Sequence, residues 1–357
     1  MSSTEEYSWG LVPKMTQRWK RRPEGSTWGD FGPDDQLGRL NLLTPEKVRQ
    51  AVAEVEEGLP FCLSLPLDFP GEAKLNPRRK PPHLSPTTLK GEPFMNYPLG
   101  RIDVRNTDVV CDDQVTIALQ YSTQWDSFAH IGSLFDADGD GQPEIVYYNG
   151  YRGHEHVKGP EDVKGGDCGG GSCATALGIE NFAVKAIQGR GVLIDLHAHF
   201  GNERHVVGYD DLMRVMQADN VTVEPGDMLV LHTGFSAVIL SMNRQPDMEV
   251  LNRSCAALDG RDEKLLRWIT DSRIAAICAD NYAVEAYPAK ERDGSRPALP
   301  LHEHCLFKLG VPLAELWWLK DLAQWLRAHR RNRFLLTPPP LRLPGAVGSP
   351  VTPVATV

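Results

Sequence analysis

Apolar and polar positions along this chain alternate between helical and strand spacing, and the first clear helix lies near the N-terminus. Thr44 is a suitable N-cap, Pro45 suits the first helical position, and apolar side chains follow at helical spacing as far as Gly58. This pattern predicts a helix over about 45–57. Beyond it, apolar residues alternate with small or polar ones from Phe61 to Leu67, which predicts a strand.

Strands and helices continue to alternate through the second half of the chain. The apolar runs Gly189–Leu196 and Asp227–Thr233 predict buried strands, and residues 209–217 between them have apolar side chains at helical spacing. A further helical pattern over about 262–271 leads into the apolar run Ile274–Cys278. Regular alternation of strands and helices is typical of the α/β class, so we expect an α/β fold.

Three segments lack either periodicity. Residues 1–40 are rich in Trp, Gly, Pro and charge, and we expect an arm that packs on the body of the protein or on a partner subunit, with the main domain at 41–357. Residues 70–100 are rich in Pro and Lys and predict a long loop of the kind that often covers an active site. The third segment follows a last helix, which is predicted over about 321–330. It is the tail from Pro338, which has the composition of a disordered linker.

The composition is that of a globular protein: 41% of the 357 residues are hydrophobic, which is ample for a buried core. A net charge of -9 argues against general binding to nucleic acid or to anionic membranes. No apolar run reaches the roughly 18 residues of a membrane span, and residues 1–25 lack the apolar core of a signal peptide. We therefore expect a soluble, cytoplasmic protein.

Seven cysteines are scattered along the chain, and no CxxC pair is present. Because the cytoplasm is reducing, we expect free thiols, with a disulfide between Cys168 and Cys173 as the alternative. The Gly-rich run between these two residues is not followed by the Gly-Lys-Ser/Thr sequence of nucleotide sites. We therefore do not expect a nucleotide there.

The stretch from Gln120 to His130 carries the most chemistry. If it runs extended, Gln124 and Asp126 project to the same side as its two end residues, because side chains alternate faces along a strand. A carboxylate beside amide oxygens suits a divalent cation, and an imidazole can bind the ion or move protons for its water. The alternative is a polar strand edge whose side chains hydrogen-bond their neighbours.

This stretch resembles the motif His-x-Gly-Thr-His-x-Asp-x-Pro-x-His of the cyclase family of metal-dependent hydrolases, which includes bacterial kynurenine formamidases and isatin hydrolases. Thr123, Asp126 and His130 match the motif, whereas Gln120 and Gln124 stand where the family has two His ligands. The resemblance implies a metal held by both Gln residues and Asp126. An amide oxygen is a harder and weaker donor than imidazole, so the preference of the site should shift from zinc toward manganese or magnesium. Complete loss of the metal is the alternative.

A second segment, Leu301–Leu316, resembles the other ligand segment of the family, in which a His is followed, after an apolar strand, by a Glu. The best matches are His302 and Glu315, with His304 as the choice if the register differs. The resemblance implies that these residues hold a second ion, which Asp126 shares with the first.

The family resemblance covers most of the chain from about Trp28 onward. It implies a swivelling β/β/α domain around a mixed sheet, and assembly into a homodimer or homotetramer. The run Leu341–Pro350 is similar to the closing segment of the family, so we expect an ordered C-terminal tail.

The function that the resemblance implies is hydrolysis of a cyclic or N-acyl carbonyl compound, such as an arylformamide, a cyclic amide or a lactone. The cation would be manganese, zinc or magnesium, and His130 would act as general base toward metal-activated water. Two alternatives stay open at this point. One is a metal-assisted cyclase or dehydratase, and the other is a ligand-binding protein that has lost catalysis.

A strand-end His-x-His that contains His199 resembles the motif of the amidohydrolase barrels. Such a barrel takes roughly 250 residues, and too few follow His199. Within the cyclase resemblance this segment is a strand, and His199 either contacts the site or is a hydrogen-bonded structural residue.

Four acids follow the motif at the spacing of a calcium loop: Asp136, Asp138, Asp140 and Glu144. An EF-hand also needs a Glu at its twelfth position, where this chain has Tyr147. The sequence therefore leaves two interpretations open, a short calcium loop and a solvated acidic turn.

Overall fold

The computed structural model describes residues 17–163 and 168–357, which form one mixed sheet of nine strands with helices around it. Numbered along the chain, the strands are β1 (Pro60–Cys62), β2 (Gln124–Asp126), β3 (Gly189–Asp195), β4 (Met228–His232), β5 (Ala276–Ala279), β6 (Leu313–Glu315), β7 (Arg333–Thr337), β8 (Gly348–Pro350) and β9 (Val354–Thr356). Their order across the sheet is β1-β9-β7-β3-β4-β5-β6-β2-β8. The predicted α/β class is confirmed.

The centre of the sheet is parallel. Strands β3, β4, β5 and β6 run in the same direction, so their carboxyl ends share one edge of the sheet. Strand β2 is antiparallel to β6, with Asp126 opposite Leu313 and Gln124 opposite Glu315. Strand β8 pairs with the other side of β2 and places Gly348 opposite Asp126. Three short strands thereby bring distant parts of the sequence together.

Helices connect the parallel strands and cover them. Every residue of β3 and β4 is buried, as expected where both faces of a parallel sheet are covered. The predicted helices near 209–217, 262–271 and 321–330 are confirmed. The main helices are Pro45–Val52, Glu180–Lys185, Leu196–Phe200, Tyr209–Ala218, Phe235–Ser241, Met248–Asn252, Glu263–Ser272, Pro300–His302, which continues as the π-helix Glu303–Leu309, and Lys320–Ala328.

The first helix begins where predicted and ends early. Thr44 is its N-cap, and the Thr44 hydroxyl accepts a hydrogen bond from the Lys47 N–H at 3.3 Å. The helix ends at Val52, short of the predicted end. Beyond it, the N–H of Gly58 donates to the carbonyl of Val357 at 2.8 Å. The chain turns there because β1 pairs with β9, and this strand pairing outweighs the helix propensity of the residues after Val52.

The segment that precedes the site differs from prediction in two ways. Only the first residues of the expected strand 61–67 join the sheet, and Ser64 forms an isolated bridge to Trp317. Residues 70–100 are not a single irregular loop, because much of their second half folds into short antiparallel ladders. These pair His83–Pro86 with Asp113–Thr116, Thr88–Leu89 with Glu92–Pro93, and Tyr97–Pro98 with Val109–Val110. The ladders are mostly exposed, so no alternation of apolar residues marks them in the sequence.

Both ends of the described chain pack on the body. Trp28 is buried, its Nε1 donates to the carbonyl of Phe307 at 2.8 Å, and Trp19 meets its ring edge-on at 5.6 Å. The described part of the expected arm therefore contacts the body itself, and residues 1–16 of the arm lie outside the described residues. The C-terminal tail is ordered, as expected, because it supplies β8 and β9.

Cys168 and Cys173 form a disulfide, so the expectation of free thiols was wrong for this pair. Their Cα atoms lie 5.4 Å apart because the glycines between them turn the chain tightly, with positive φ at Gly169 and Gly171. The free cysteines are Cys62, Cys111, Cys255, Cys278 and Cys305. In the described ranges, the helices are all too short or too polar to cross a membrane.

Candidate metal centre

Asp126, His302 and Glu315 meet at the edge of the sheet. One ligand atom from each lies within 4.8 Å of the other two. Asp126 ends β2, Glu315 ends β6, and His302 ends the short helix Pro300–His302. The three residues are almost fully buried, with exposed fractions of 1%, 2% and 3% for Asp126, His302 and Glu315. The structure thus gathers three predicted ligands from three distant segments.

Three oxygen atoms of this cluster have no hydrogen-bond partner among the described residues. They are both carboxylate oxygens of Asp126 and the Oε1 of Gln124. Removing a carboxylate from water costs several kcal/mol unless a partner compensates, and buried carboxylates are normally paired or bound to a metal. A divalent cation would satisfy all three oxygens at once, so the residues present fit such an ion.

Gln124 is part of this cluster. Its Nε2 donates to Oε2 of Glu315 at 3.0 Å, which leaves Oε1 as the atom that a cation can use. The register of β2 and β6 explains the contact, because Gln124 and Glu315 are direct cross-strand partners. An amide held this way supplies an oxygen ligand, which manganese and magnesium prefer more than zinc does.

A carboxylate that the sequence analysis missed holds His302. Oε1 of Glu285 lies 2.8 Å from Nδ1 of His302 and accepts the His302 N–H at 3.0 Å. The other oxygen accepts the N–H of Leu301 at 3.0 Å. A carboxylate on the far nitrogen of a ligating imidazole fixes the ring and its tautomer. In the sequence Glu285 is simply an acid after an apolar strand, and no spacing relates it to His302.

Burial and charge move the pKa values of the cluster in different directions. Burial raises the pKa of Asp126, although the charge of His130 opposes the rise. Burial acts the same way on Glu315, but the hydrogen bond and charge of His302 outweigh it and lower that pKa. For His302 burial disfavours the charged form, yet the hydrogen bonds to Glu285 and Glu315 raise its pKa to about 10. The pKa values of the two carboxylates Asp126 and Glu315 are therefore shifted in opposite directions.

His130 lies at the rim of the cluster. Its Nε2 is 3.8 Å from Oδ1 of Asp126, beyond hydrogen-bond distance, and its side chain is 20% exposed. The turn after β2 sets this position, because the His130 N–H donates to the carbonyl of Ser127 at 3.0 Å. An imidazole that lies between solvent and the buried oxygens of the cluster can move protons between them.

The stretch Gln120–His130 is not extended throughout, so the expected alternation was wrong outside its centre. Only Gln124–Asp126 is strand, and turns flank it. Gln120 lies in the first turn, and its side chain packs against Gly348, the strand partner of Asp126. The approach is so close that a Cβ at position 348 would lie 2.4 Å from Nε2 of Gln120. The turn therefore keeps Gln120 beside β2, and its role as a ligand stays a prediction.

The structure does not bring His199 and His304 into this cluster. Nε2 of His304 lies 2.9 Å from the carbonyl of Leu266. Residues two apart on a helical turn point in nearly opposite directions, so His302 and His304 face different neighbours. His199 follows β3 on a helix, and its Nε2 lies 3.0 Å from a carboxylate oxygen of Asp219.

A second cluster of carboxylate and imidazole lies at the carboxyl ends of β3 and β4. Ligand atoms of Asp195, His197 and His232 lie within 4.8 Å of one another. Here the carboxylate is fully partnered: Oδ1 lies 2.8 Å from Nδ1 of His232, and Oδ2 accepts from Nε of Arg327 at 3.0 Å. Burial opposes ionisation of Asp195, but these two cationic partners lower its pKa to about 2. The cluster is a closed ion-pair network.

The acidic turn after the site gathers most of its acids. Three of the four have ligand atoms within 4.8 Å of one another: Asp136, Asp138 and Glu144. Asp136 pairs with Arg21 at 2.6 Å, and Glu144 pairs with Arg152 at 3.0 Å. These guanidinium groups offset the negative charge that a calcium ion would need. Calcium binding at this turn stays a prediction.

A family model matches most of the chain. The model is Cyclase, described as "Putative cyclase", and it covers residues 41–286. No curated protein matches the sequence significantly.

Solved structures share the fold over nearly the whole chain. The structure of a novel cyclase is 28% identical with a TM-score of 0.70, and the match covers 93% of this chain and 97% of that one. Isatin hydrolase A from Labrenzia aggregata, bound to benzyl benzoate, is 14% identical with a TM-score of 0.53, covering 86% and 97%. An isatin hydrolase bound to the product analogue thioisatinate is 13% identical with a TM-score of 0.51, covering 87% and 95%.

Proposed function

The chain belongs to the cyclase family, and we propose that it is a metal-dependent hydrolase of cyclic or N-acyl carbonyl compounds. The observation that carries the proposal is the set of three buried oxygens on Asp126 and Gln124 that lack partners, next to His302 and Glu315. A site kept only for structure would pair these oxygens, as the Asp195 network does.

The ligands of the proposed cation are Asp126, His302, Glu315 and the Oε1 of Gln124, with Gln120 as a further candidate. One nitrogen among several oxygens favours manganese or magnesium over zinc. A divalent cation bound there lowers the pKa of water and polarises a carbonyl. Glu285 supports the site by holding Nδ1 of His302, which leaves Nε2 directed toward the other ligands.

His130 is the proposed general base. It takes a proton from the attacking water and returns it to the nitrogen or oxygen that leaves the carbonyl carbon. The net reaction adds water across a C–N or C–O bond and yields a carboxylate with an amine or alcohol. The position of His130 supports this role, since the ring lies 3.8 Å from Asp126 and is partly exposed.

Arylformamides, cyclic amides and lactones share the carbonyl and leaving heteroatom that this chemistry needs, and two of the similar structures are isatin hydrolases. The same site could instead support a cyclase or dehydratase, whose product would lack the added water. The hydrogen bond from Gln124 to Glu315 favours another alternative, a ligand-binding site without catalysis, because it closes part of the cluster. On the family resemblance we extend the proposal to a cytoplasmic homodimer or homotetramer.

Metal content tests the proposal. Protein purified without chelator is measured by mass spectrometry, as wild type, as Asp126→Ala and as the exposed control Asp108→Ala. We expect one or two equivalents of manganese, magnesium or zinc in the wild type and the control, and a loss in Asp126→Ala. The loaded wild type should then hydrolyse formanilide, isatin or a simple lactone. A wild type that stays metal-free after incubation with each ion would contradict the proposal and favour the ligand-binding alternative.

A further inference from the structure

Arg79 lies beside the candidate metal centre. Its Nη1 donates to the carbonyl of Gln120 at 2.8 Å, which draws the half-buried guanidinium against the turn before β2. Together with Tyr282 and Leu316 it lines a narrow crevice, and Leu316 directly follows the cluster residue Glu315. A cationic side chain from the segment before the exposed ladders therefore stands next to the proposed ligands.

The guanidinium of Arg79 has few partners in the chain. Within residues 17–163 and 168–357, Arg79 forms no salt bridge, and its side chain has a single hydrogen bond, to Gln120.

Most donors of this guanidinium are unused by the chain. A guanidinium has five N–H groups, and the described residues accept one of them, from Nη1 of Arg79. The Nε and Nη2 groups form the edge that binds a carboxylate through two parallel hydrogen bonds. Arg79 lines the crevice, and its two-pronged donor edge has no acceptor among the described residues.

A charge count explains why a hydrolase would keep such a cation here. Asp126, Glu285 and Glu315 together bring three negative charges, and a divalent cation bound to neutral His302 offsets two of them. The remaining negative charge would repel an anionic substrate, whereas a neutral substrate would be little affected. Arg79 offsets that charge, and Glu72, which lines the same crevice, is already paired with Lys74 at 2.7 Å, so the benefit of Arg79 is specific to anionic substrates.

We propose that Arg79 binds a carboxylate of the substrate, so that the enzyme acts on N-acyl or cyclic carbonyl compounds that carry a carboxylate near the bond to be cut. This inference rests on the proposed hydrolase function and deepens it by naming the substrate class. The crevice holds about 10 Å³, room for about one water molecule, so binding of a carboxylate requires lining side chains other than Arg79 to move aside.

The test compares two formamides that differ only in a carboxylate, N-formylanthranilate and formanilide. The enzyme is the metal-loaded wild type, with Arg79→Met, Arg79→Lys and the neighbouring exposed control Arg78→Met. We expect Arg79→Met to lower kcat/KM about a hundredfold for N-formylanthranilate, mainly through KM, and less than about threefold for formanilide. The kcat/KM of Arg79→Lys for N-formylanthranilate should lie between those of the wild type and Arg79→Met, because lysine keeps the positive charge but cannot form the two parallel hydrogen bonds. Arg78→Met should behave as the wild type.

The outcomes separate this inference from the hydrolase proposal. Equal losses on both substrates, or no loss on either, would overturn the role of Arg79 while leaving the hydrolase intact. Failure to bind metal and to hydrolyse either compound would instead refute the hydrolase. If metal is bound but neither compound is cut, calorimetry with anthranilate and aniline decides. Anthranilate binding that Arg79→Met abolishes supports the inference, and equal or absent binding of the two compounds overturns it.

Discussion

Two clusters of carboxylate and imidazole lie on one sheet and differ in how their oxygens are used. At the carboxyl ends of β3 and β4, Asp195 is paired with His232 and Arg327, and both of its oxygens have partners. At β2 and β6, both oxygens of Asp126 are buried without a partner among the described residues, and so is one oxygen of Gln124. Residue types alone would not separate the two clusters.

Buried oxygens that all have hydrogen-bond partners indicate a structural network, whereas buried oxygens without partners indicate a binding site. A closed network contributes to stability, because each charge finds its counter-charge inside the fold. An open cluster costs free energy until something fills it, and natural proteins keep such costs mainly at functional sites. We therefore expect mutations at Asp195 to lower stability, and mutations at Asp126 to affect function with little loss of stability.

The largest expected effect is on activity in Asp126→Ala. Loss of the cation should lower kcat/KM for the best substrate by about 10³-fold or more, since the ion supplies several kcal/mol of transition-state stabilisation. Without metal, the variant should be as stable as the wild type in urea unfolding, because it removes an unpaired buried carboxylate. Metal at 100 times its Kd should stabilise the wild type by about 2.7 kcal/mol and the variant not at all. A variant that responds equally to metal would contradict the assignment of Asp126.

The second effect is on stability in Asp195→Ala. Removing Asp195 leaves the buried His232 without its carboxylate, whereas the half-exposed Arg327 keeps solvent and Asp219. We therefore expect a loss of about 3 kcal/mol in the free energy of unfolding. The metal content should not change. The matched control Asp138→Ala, an exposed acid, should lie within about 0.5 kcal/mol of the wild type. A loss of metal in Asp195→Ala would contradict the interpretation of the Asp195 cluster as a purely structural network.

The third effect concerns acid pH and the same carboxylate. The pKa of Asp195 is lowered from 3.8 to about 2, so its contribution is present above pH 3.8 and is lost as pH falls toward 2. The shift corresponds to about 2 kcal/mol, which belongs to the pairing already described and does not add to it. Urea unfolding of the wild type should show this loss between pH 4 and pH 2, and unfolding of Asp195→Asn should not. Parallel curves for the two proteins would argue against the ion pair.

The fourth effect is on metal choice in Gln124→His. An imidazole in place of the amide oxygen makes the donor set softer, so we expect the ratio of zinc to manganese affinity to rise about tenfold or more. Competition titration with both ions measures this ratio, and Gln114→His on an exposed strand is the control. An unchanged ratio would mean that Oε1 of Gln124 does not contact the ion.

The smallest effect is expected at the acidic turn. Arg21 and backbone N–H groups already occupy the oxygens of Asp136, so millimolar calcium should shift the melting temperature by less than about 1 °C. A shift that Asp136→Ala abolishes, and that magnesium does not reproduce, would instead establish a calcium loop there.

Local sequence determined much of the fold because its signals act over a few residues. Thr44 and Pro45 marked the start of a helix, and the apolar runs at β3 and β4 marked buried strands, since caps and periodicity need no distant partner. The prediction failed where pairing depends on remote residues. The first helix ends early because β1 pairs with β9, and the stretch around Asp126 is strand for only three residues because β6 and β8 pair with it there.

By itself, the sequence determined the α/β class, and its resemblance to a family pointed to an ordered tail and to Asp126, His302 and Glu315 as candidate ligands. Only the tertiary structure decided which candidates meet, because convergence depends on the register of strands that are far apart in the chain. It placed Glu285 against His302, separated His199 and His304 from the cluster, and set Arg79 beside it. It also showed which buried oxygens lack partners, and this depends on every neighbour in three dimensions.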